Sequence, residues 1–129
     1  MPVRGIRGAT TAGANTAEAI VEATRELLSE LERLNEIDPE EVAFCYLTTT
    51  PDLDAEFPAL AARQLGWVDV PLLCGHDMNV PLPNPRAVPR CIRILLLYNT
   101  PKRQAEMRHA YLHGAEAIKT DLENYKARK

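Results

Sequence analysis

Two arginines near the N-terminus stand in a short run of β-type residues and could bind an anion. The run covers residues 3–6 and ends at glycines, with Arg4 inside it and Arg7 directly after it. The alternation of a strand puts Ile6 on the face of Arg4 and puts Arg7 on the opposite face with Val3. An arginine beside aliphatic side chains is costly unless it meets an anion, and its guanidinium binds carboxylates and phosphates bidentately. The segment indicates either such a pocket or, more simply, a structural salt bridge or a solvated edge strand.

A third arginine stands in the most apolar segment of the chain, residues 91–98 (CIRILLLY), which we predict to be a strand. Alternation places Arg93 on one face with Cys91, Leu95 and Leu97. Burying an unpaired guanidinium among such residues costs several kcal/mol, so Arg93 must have a partner. Two interpretations stay open: an ion pair with a buried acid, or a fixed positive charge that acts as an electrostatic catalyst in a dry pocket.

Polar residues follow another short apolar segment at Cys74, His76 and Asp77. The ends of strands are where functional sites collect. Cys74 and His76 are two residues apart, so on an extended backbone they share a face and could form a nucleophilic pair. No third group stands at a recognisable spacing to orient the histidine, and a free cysteine is more often a small buried hydrophobe. We therefore do not expect nucleophilic catalysis here.

Metal and phosphate chemistry have weaker support in the sequence. His109 and His113 have a spacing that suits a metal on a helix, but no glutamate follows His109 as it would in an H-E-x-x-H motif. Isolated surface histidines are the simpler explanation. Glycine-rich loops of the G-x-G-x-x-G or Walker type do not occur. We expect neither a metal nor a cofactor.

Length, charge and cysteine usage indicate the class of protein. A chain of 129 residues with 46% hydrophobic residues suits a single domain, residues 1–129, with a real core. The net charge of -3 gives no support for nucleic-acid binding. Three cysteines without a C-x-x-C spacing predict no disulfide framework, no zinc site and a reducing cytoplasm. We see no apolar signal core and no apolar run of about 18 residues, so we expect no membrane segment.

Periodicity and turn residues predict strands that alternate with helices. In chain order we predict a strand at 3–6, a helix at Ala17–Asn35 capped by Thr16, a turn at 38–41, a strand at Val42–Thr49, a helix at 57–65, an edge or bulged strand at 68–74, a stiff proline-rich loop at 80–89, a strand at 91–98, a short helix at 103–112 and a mobile tail at 115–129. This order predicts an α+β fold with helices on one face of a mixed sheet. The other apolar face needs cover, for which a homo-oligomer is one solution.

The opening V-R-G-I-R-G-A-T resembles the start of the AroH-type chorismate mutases, which are small trimeric enzymes distinct from the all-helical chorismate mutases. Later segments resemble the same family in the same order: residues 50–53 (TPDL) leading to 57–59 (FPA), 70–71 (VP) leading to Cys74, 91–93 (CIR), 108–112 (RHAYL) and the closing 118–122 (IKTDL). Each motif is weak alone, but the ordered set covers residues 3–122. The resemblance implies a chorismate mutase/YjgF-like fold that assembles into a trimeric pseudo-α/β-barrel.

The resemblance also implies the reaction and the roles of single residues. The reaction is the intramolecular rearrangement of chorismate to prephenate, which serves phenylalanine and tyrosine biosynthesis. Arg7 would bind a substrate carboxylate, Arg93 the ether oxygen and a carboxylate, and Tyr111 a carboxylate through its hydroxyl. Cys74 and Asp77 would hold the ring hydroxyl. Arg93, Arg7 and Asp77 form the predicted catalytic set.

Further substrate-binding residues are implied at the rim of the site. Phe57 and Arg63 would come from the neighbouring subunit and close a pocket at the trimer interface. Lys119 would reach over the mouth and help to exclude water. Leu73 and Ile118 complete the predicted binding set.

The chain departs from the family pattern at several positions. The acid three residues after Cys74 is usually glutamate and is here Asp77, and Leu60 stands where a lysine is common. Lys119 and Thr120 stand where the family has an arginine before Pro-Asp-Leu, and the proline-rich loop is longer than usual. Three alternatives stay open: a YjgF/Rid-like protein that acts on imines or binds small carboxylates, a metabolite-binding trimer without catalytic activity, and a purely structural oligomer.

Overall fold

A five-stranded mixed sheet forms the centre of the protein. The computed structural model describes residues 1–127. Its elements are β1 (Val3–Thr11), α1 (Ala17–Asn35), β2 (Val42–Thr49), α2 (Ala59–Gln64), β3 (Leu72–His76), β4 (Cys91–Asn99), β5 (Ala110–Tyr111) and α3 (Glu116–Ala127), with 3-10 turns at Pro39–Glu41, Gln104–Glu106 and His113–Ala115. The strand order is β3-β2-β4-β1-β5. The sheet is antiparallel where β4 pairs with β1 and β2, and parallel where β2 pairs with β3 and β1 with β5.

Helix α1 has the bounds that its apolar periodicity predicts. The Thr16 side chain accepts a hydrogen bond from the Ala19 backbone N at 3.1 Å and so caps the first turn. Glu36 ends the helix in the left-handed conformation at φ 50°. The predicted turn after this helix is confirmed as the 3-10 turn Pro39–Glu41, capped by Asp38.

One face of the sheet carries the main core. Leu27, Leu28 and Leu31 of α1 pack in one buried cluster with Ile6 of β1 and Leu96 of β4. Every one of these five side chains is fully buried. Ile6 lies on the face opposite to Arg7, as the alternation of the strand predicts.

Gly8 of β1 lets α1 approach the sheet closely. A Cβ at Gly8 would lie 2.9 Å from Leu31 Cδ1 and 3.0 Å from Leu27 Cδ1. These separations are shorter than real Cβ contacts, so a side chain at this position would push the helix or its leucines away from the sheet.

The opposite face of the sheet, called here the open face, is largely uncovered. Val3, Leu73 and Leu95 lie on it and are 48%, 66% and 40% exposed. The 3-10 turn His113–Ala115 and the start of α3 cover one corner of this face, because Ala115 and Ile118 pack there against other apolar side chains. The predicted mixed sheet is therefore confirmed, with α1 packed on its core face and α3 beginning at the edge of the open face.

Several predicted boundaries need correction. The first strand does not end at the glycines: it continues to Thr11, because β4 pairs with it along its whole length. The second helix is shorter than predicted and covers Ala59–Gln64, with Pro58 as its N-cap. The strand predicted at 68–74 begins only after Pro71, at Leu72, and the prediction that it lies at an edge is confirmed.

The helix predicted at 103–112 is wrong. This segment forms the 3-10 turn Gln104–Glu106 and then β5, whose Ala110 and Tyr111 pair in parallel with Gly8 and Ala9 of β1. A long-range backbone pairing therefore overrides the local helical pattern. The stretch that follows, predicted as a mobile tail, forms α3, and residues 128 and 129 lie outside the described part. No helix within residues 1–127 has the length and apolar character that a membrane crossing needs.

Candidate active site

The open face brings residues from four strands into one neighbourhood. Arg93 of β4 is in register with Thr48 of β2 and with Ala9 of β1, and Ala9 is in register with Tyr111 of β5. Residues in register project to the same side of a sheet, and neighbouring strands are about 4.8 Å apart. Arg93 and Tyr111 are thus two strands apart on one face.

A cavity of about 190 Å³ lies where these side chains meet. Arg7, Arg93 and Tyr111 line it, as predicted from the resemblance to the family, together with Tyr46 and Thr48. Two guanidinium groups and three hydroxyls in one small space can bind carboxylates and a polar oxygen between them.

A larger open cavity of about 1020 Å³ adjoins the first one at Arg93, which lines both. Asp77 and Ile118 line the larger cavity, and most of the remaining wall comes from the proline-rich loop 80–89 and α3. The loop was predicted to be stiff, and it contains no helix or strand. Arg93 therefore stands at the junction of the two cavities.

Arg93 has an acidic partner in Asp77. Their Nε and Oδ2 atoms are 3.6 Å apart, and the two side chains are 48% and 20% exposed. The ion pair thus exists, but Arg93 also faces both cavities. An arginine has five N–H donors, so one contact at Nε leaves donors for a ligand. The two interpretations of Arg93 are therefore compatible in this structure.

Three buried polar atoms on the open face have no hydrogen-bond partner within residues 1–127: Thr48 Oγ1, Asp77 Oδ2 and Tyr111 Oη. The 3.6 Å separation from Arg93 is too long to count as a hydrogen bond for Asp77. A buried polar atom left without a partner costs about 1–3 kcal/mol. Atoms of this kind on the walls of two adjoining cavities are suited to a polar ligand.

His109 holds the backbone at Arg7. The Arg7 backbone N donates to His109 Nδ1 at 2.9 Å, which places the remaining ring proton on Nε2. Burial, and then the positive charges of Arg7 and Lys126, lower the pKa of His109 below its ordinary value. The neutral ring is the form that can accept this hydrogen bond.

Cys74 and His76 do not form a nucleophilic pair. Cys74 is half-buried and packs against the main core. Burial raises the pKa of its thiol, although the Ala59 backbone and Arg63 oppose this effect. The Nδ1 atom of His76 lies 3.1 Å from Thr49 Oγ1. A thiol with a raised pKa is a poor nucleophile near neutral pH.

The other two histidines are also separated. His113 Nε2 lies 2.7 Å from Glu26 Oε1, while His109 contacts β1. They are not on a common helix, because β5 lies between them. In the described part of the chain, no three His, Cys, Asp or Glu side chains come together as metal ligands.

Several predicted site residues do not line either cavity. Phe57 and Leu73 are 68% and 66% exposed, and Arg63 is also exposed. They lie on or beside α2 and β3, at one edge of the sheet. Lys119 is exposed on α3, next to Ile118. Within one copy of the chain, the structure thus unites Arg7, Arg93, Tyr111, Asp77 and Ile118, and leaves Phe57, Arg63, Leu73, Cys74 and Lys119 outside the two cavities.

Sequence reasoning missed Tyr46 and Thr48. Both line the smaller cavity from β2, for which only a strand was predicted. A signal for them was present, because alternation in Val42–Thr49 separates Tyr46 and Thr48 from the buried Cys45 and Leu47.

Comparison with known proteins places this geometry in a family. Residues 3–122 match the family chorismate mutase type I. The chain is 47% identical over 123 residues to chorismate mutase AroH of Thermus thermophilus, an alignment that covers 95% of this chain and 98% of that protein. Against chorismate mutase AroH of Bacillus subtilis (strain 168) the identity is 40% over 123 residues, covering 95% and 94%.

A solved structure agrees in fold as well as in sequence. The chorismate mutase from Clostridium thermocellum superimposes with a TM-score of 0.82 at 40% identity, over 87% of this chain and 96% of that one. The family match, the sequence identities and the fold all agree on a chorismate mutase. The chain therefore belongs to the chorismate mutase type I family.

Proposed function

We propose that this protein catalyses the rearrangement of chorismate to prephenate. In this reaction one C–O ether bond breaks and one C–C bond forms within a single molecule, so no nucleophile, metal or proton transfer is required. The observation that carries the proposal is the position of Arg93 at the junction of two cavities that also contain Arg7, Asp77 and Tyr111. Family membership supplies the substrate.

The site lowers the barrier in two ways. Arg7 and Tyr111 bind the two carboxylates of the substrate. These contacts hold the substrate in its compact conformer, in which the reacting carbons are close together. Arg93 donates to the ether oxygen as negative charge develops there, which is the larger electrostatic contribution. Asp77 contacts Arg93 at Nε and keeps the guanidinium directed across the junction.

The protein acts as a homotrimer with its active sites at the subunit interfaces. Two observations support this part of the proposal: the open face is largely uncovered, and Phe57 and Leu73 are exposed at one edge of the sheet. In the trimer, Phe57 and Arg63 of one subunit close the site that holds Arg93 of the next. Leu73 completes the wall, and Lys119 closes the mouth.

A mixing experiment tests the shared site. Arg93→Ala and Arg63→Ala are each expected to be inactive alone. Random trimers of the two variants contain some sites with both arginines, so co-expression should restore about a quarter of wild-type activity. No recovery, although native mass spectrometry with one variant isotopically labelled shows mixed trimers, would mean that both arginines serve the same subunit's site.

A reducing cytoplasm is the proposed location. Cys45, Cys74 and Cys91 are all free, and two of them are buried. Burial raises the pKa of Cys45 to about 12, so this thiol is inert to oxidation. Structural disulfides are rare in the cytoplasm, with which three free thiols agree.

The decay of chorismate absorbance with purified protein tests the activity directly. Rapid, protein-dependent conversion to prephenate is expected. If there is no conversion but chorismate raises the melting temperature, the protein is a binding trimer without catalysis. If there is neither conversion nor stabilisation, the arginines of the open face have only a structural role.

A further inference from the structure

Tyr46 lines the same cavity as Arg7 and Arg93, although no predicted role includes it. It projects from β2 on the open face, in register with Leu95 of β4 and Leu73 of β3. The residue is half-buried, and its hydroxyl takes part in no hydrogen bond within residues 1–127. A phenol hydroxyl both donates and accepts, so this one is available to a ligand.

Gly75 shows where the Tyr46 ring lies. A Cβ at Gly75 would be 2.5 Å from Tyr46 Oη and 3.3 Å from the ring carbon that bears it. The phenol therefore lies directly over the backbone of Gly75. Gly75 is in register with Thr48, and Thr48 with Arg93. The Tyr46 hydroxyl is thus displaced toward β3 and along the strands, to the line of in-register residues that contains Gly75, Thr48 and Arg93.

This position is also close to Asp77. The Asp77 backbone N donates to Thr49 O at 2.8 Å, which continues the pairing of β3 with β2. Asp77 follows Gly75 by two residues and projects to the same face, with the two Cα atoms about 6.6 Å apart. Its Oδ2 is buried without a hydrogen-bond partner in the described part of the chain and faces Arg93. Tyr46 lines the smaller cavity and Asp77 the larger one, so the two side chains approach the junction at Arg93 from its two sides.

We propose that Tyr46 is a further substrate-binding residue, whose hydroxyl holds the ring hydroxyl of the substrate together with Asp77. The inference rests on the proposed function. Asp77 is a short acid that also contacts Arg93, so a second contact from Tyr46 fixes the ring hydroxyl from the other side. The absence of a side chain at Gly75 makes room for the phenol.

The first test removes only the hydroxyl. Tyr46→Phe should raise KM for chorismate about fivefold, the effect of one neutral hydrogen bond. Competitive inhibition by a dicarboxylate analogue that lacks the ring hydroxyl should be unchanged. An unchanged KM for chorismate would overturn the proposal. Equal weakening of chorismate and of the analogue would also overturn it, because the hydroxyl would then contact another part of the substrate.

The second test moves the hydroxyl without removing it. In Gly75→Ala the new methyl group displaces the end of the Tyr46 side chain, so KM should rise as in Tyr46→Phe. The double variant combines Gly75→Ala with Tyr46→Phe. Its new Cβ at position 75 is 3.3 Å from the Cζ atom of the ring at position 46, so its KM should match that of Tyr46→Phe alone. Additive effects of the two changes would refute the role assigned to Gly75.

Two controls separate this inference from other failures. Tyr98→Phe removes a hydroxyl that accepts from the Asp38 backbone N on the core side of the sheet, and it should leave KM unchanged. The wild-type protein must convert chorismate first, since an inactive wild type refutes the proposed function rather than the role of Tyr46. If Gly75→Ala fails to fold, Tyr46→Phe alone still decides the proposal.

Discussion

The ion pair of Arg93 with Asp77 permits a test that separates catalysis from structural support. Arg93→Met removes the guanidinium and keeps much of the length of the side chain. If Arg93 stabilises the developing charge on the ether oxygen, activity should fall much more than stability. If its role is a structural salt bridge, stability should fall and any loss of activity should follow from unfolding.

The structure gives the expected size of each effect. Arg93 is 48% exposed, and its Nε is 3.6 Å from Asp77 Oδ2. A pair this exposed contributes about 1 kcal/mol or less after solvent screening, and water in the larger cavity can solvate the remaining carboxylate. The melting temperature should therefore fall by no more than about 4 °C. Loss of a preorganised donor to a developing oxyanion lowers kcat by about 10²–10³.

The assay measures both quantities on the same preparations. Chorismate decay gives kcat, and thermal unfolding at matched protein concentration gives stability. Arg103→Met is the matched control, because Arg103 pairs with Glu106 at 3.8 Å and lines neither cavity. The control should resemble Arg93→Met in stability and the wild type in activity. A loss of activity below tenfold in Arg93→Met, with the oligomer intact, would refute the electrostatic role.

Three further predictions concern single contacts. Tyr111→Phe should raise KM at least tenfold, because a charge-assisted hydrogen bond to the substrate is lost. Stability should not fall, because the buried Tyr111 hydroxyl has no partner within residues 1–127, and a lower melting temperature would contradict this. Gly8→Val should cost about 1–3 kcal/mol in the free energy of unfolding, because its side chain would overlap Leu31; denaturant titration measures the cost, and an unchanged midpoint would refute it. The pKa of His109 is lower in the folded protein than in the unfolded chain. As the pH falls below about 6.5, the unfolded chain therefore takes up a proton at His109 first, and stability should decrease until the pH passes the lower pKa of the folded protein. Melting temperatures across this range should show a weaker pH dependence in His109→Asn, whose amide oxygen can accept the same hydrogen bond, and an unchanged pH profile in that variant would exclude His109 as the cause.

Local patterns in the sequence predicted much of the fold. The apolar periodicity of α1 and its Thr16 cap act within a few residues of chain, and the structure has both as predicted. The alternation of β1 likewise predicted Ile6 and Arg7 on opposite faces, and the structure has Ile6 in the core and Arg7 on the open face. The order of short motifs over residues 3–122 predicted the family, and the comparisons confirm it.

Contacts between distant segments could not be predicted from such local patterns. The segment before Tyr111 has a helical pattern, yet it forms β5, because the edge of β1 offers backbone hydrogen bonds about 100 residues away in sequence. Tyr46 was missed for a similar reason. Its partner in space is a glycine on the next strand, and only the parallel register of β2 with β3 brings the two together.

Side-chain alternation is a local property of the backbone, so the order of residues in a strand predicts which side chains share a face and which chemistry they can supply. Alternation marked Arg7 and Arg93 as candidate cations for an anionic ligand, and the resemblance to the family added Tyr111 as a hydroxyl donor. The folded chain adds three features that no strand shows alone: Arg93 pairs with Asp77, Arg93 lines both cavities, and Thr48 and Tyr46 lie on the wall of the smaller one. These features depend on the register between strands, which is set by the hydrogen bonding and packing of the whole sheet and is encoded by no single segment.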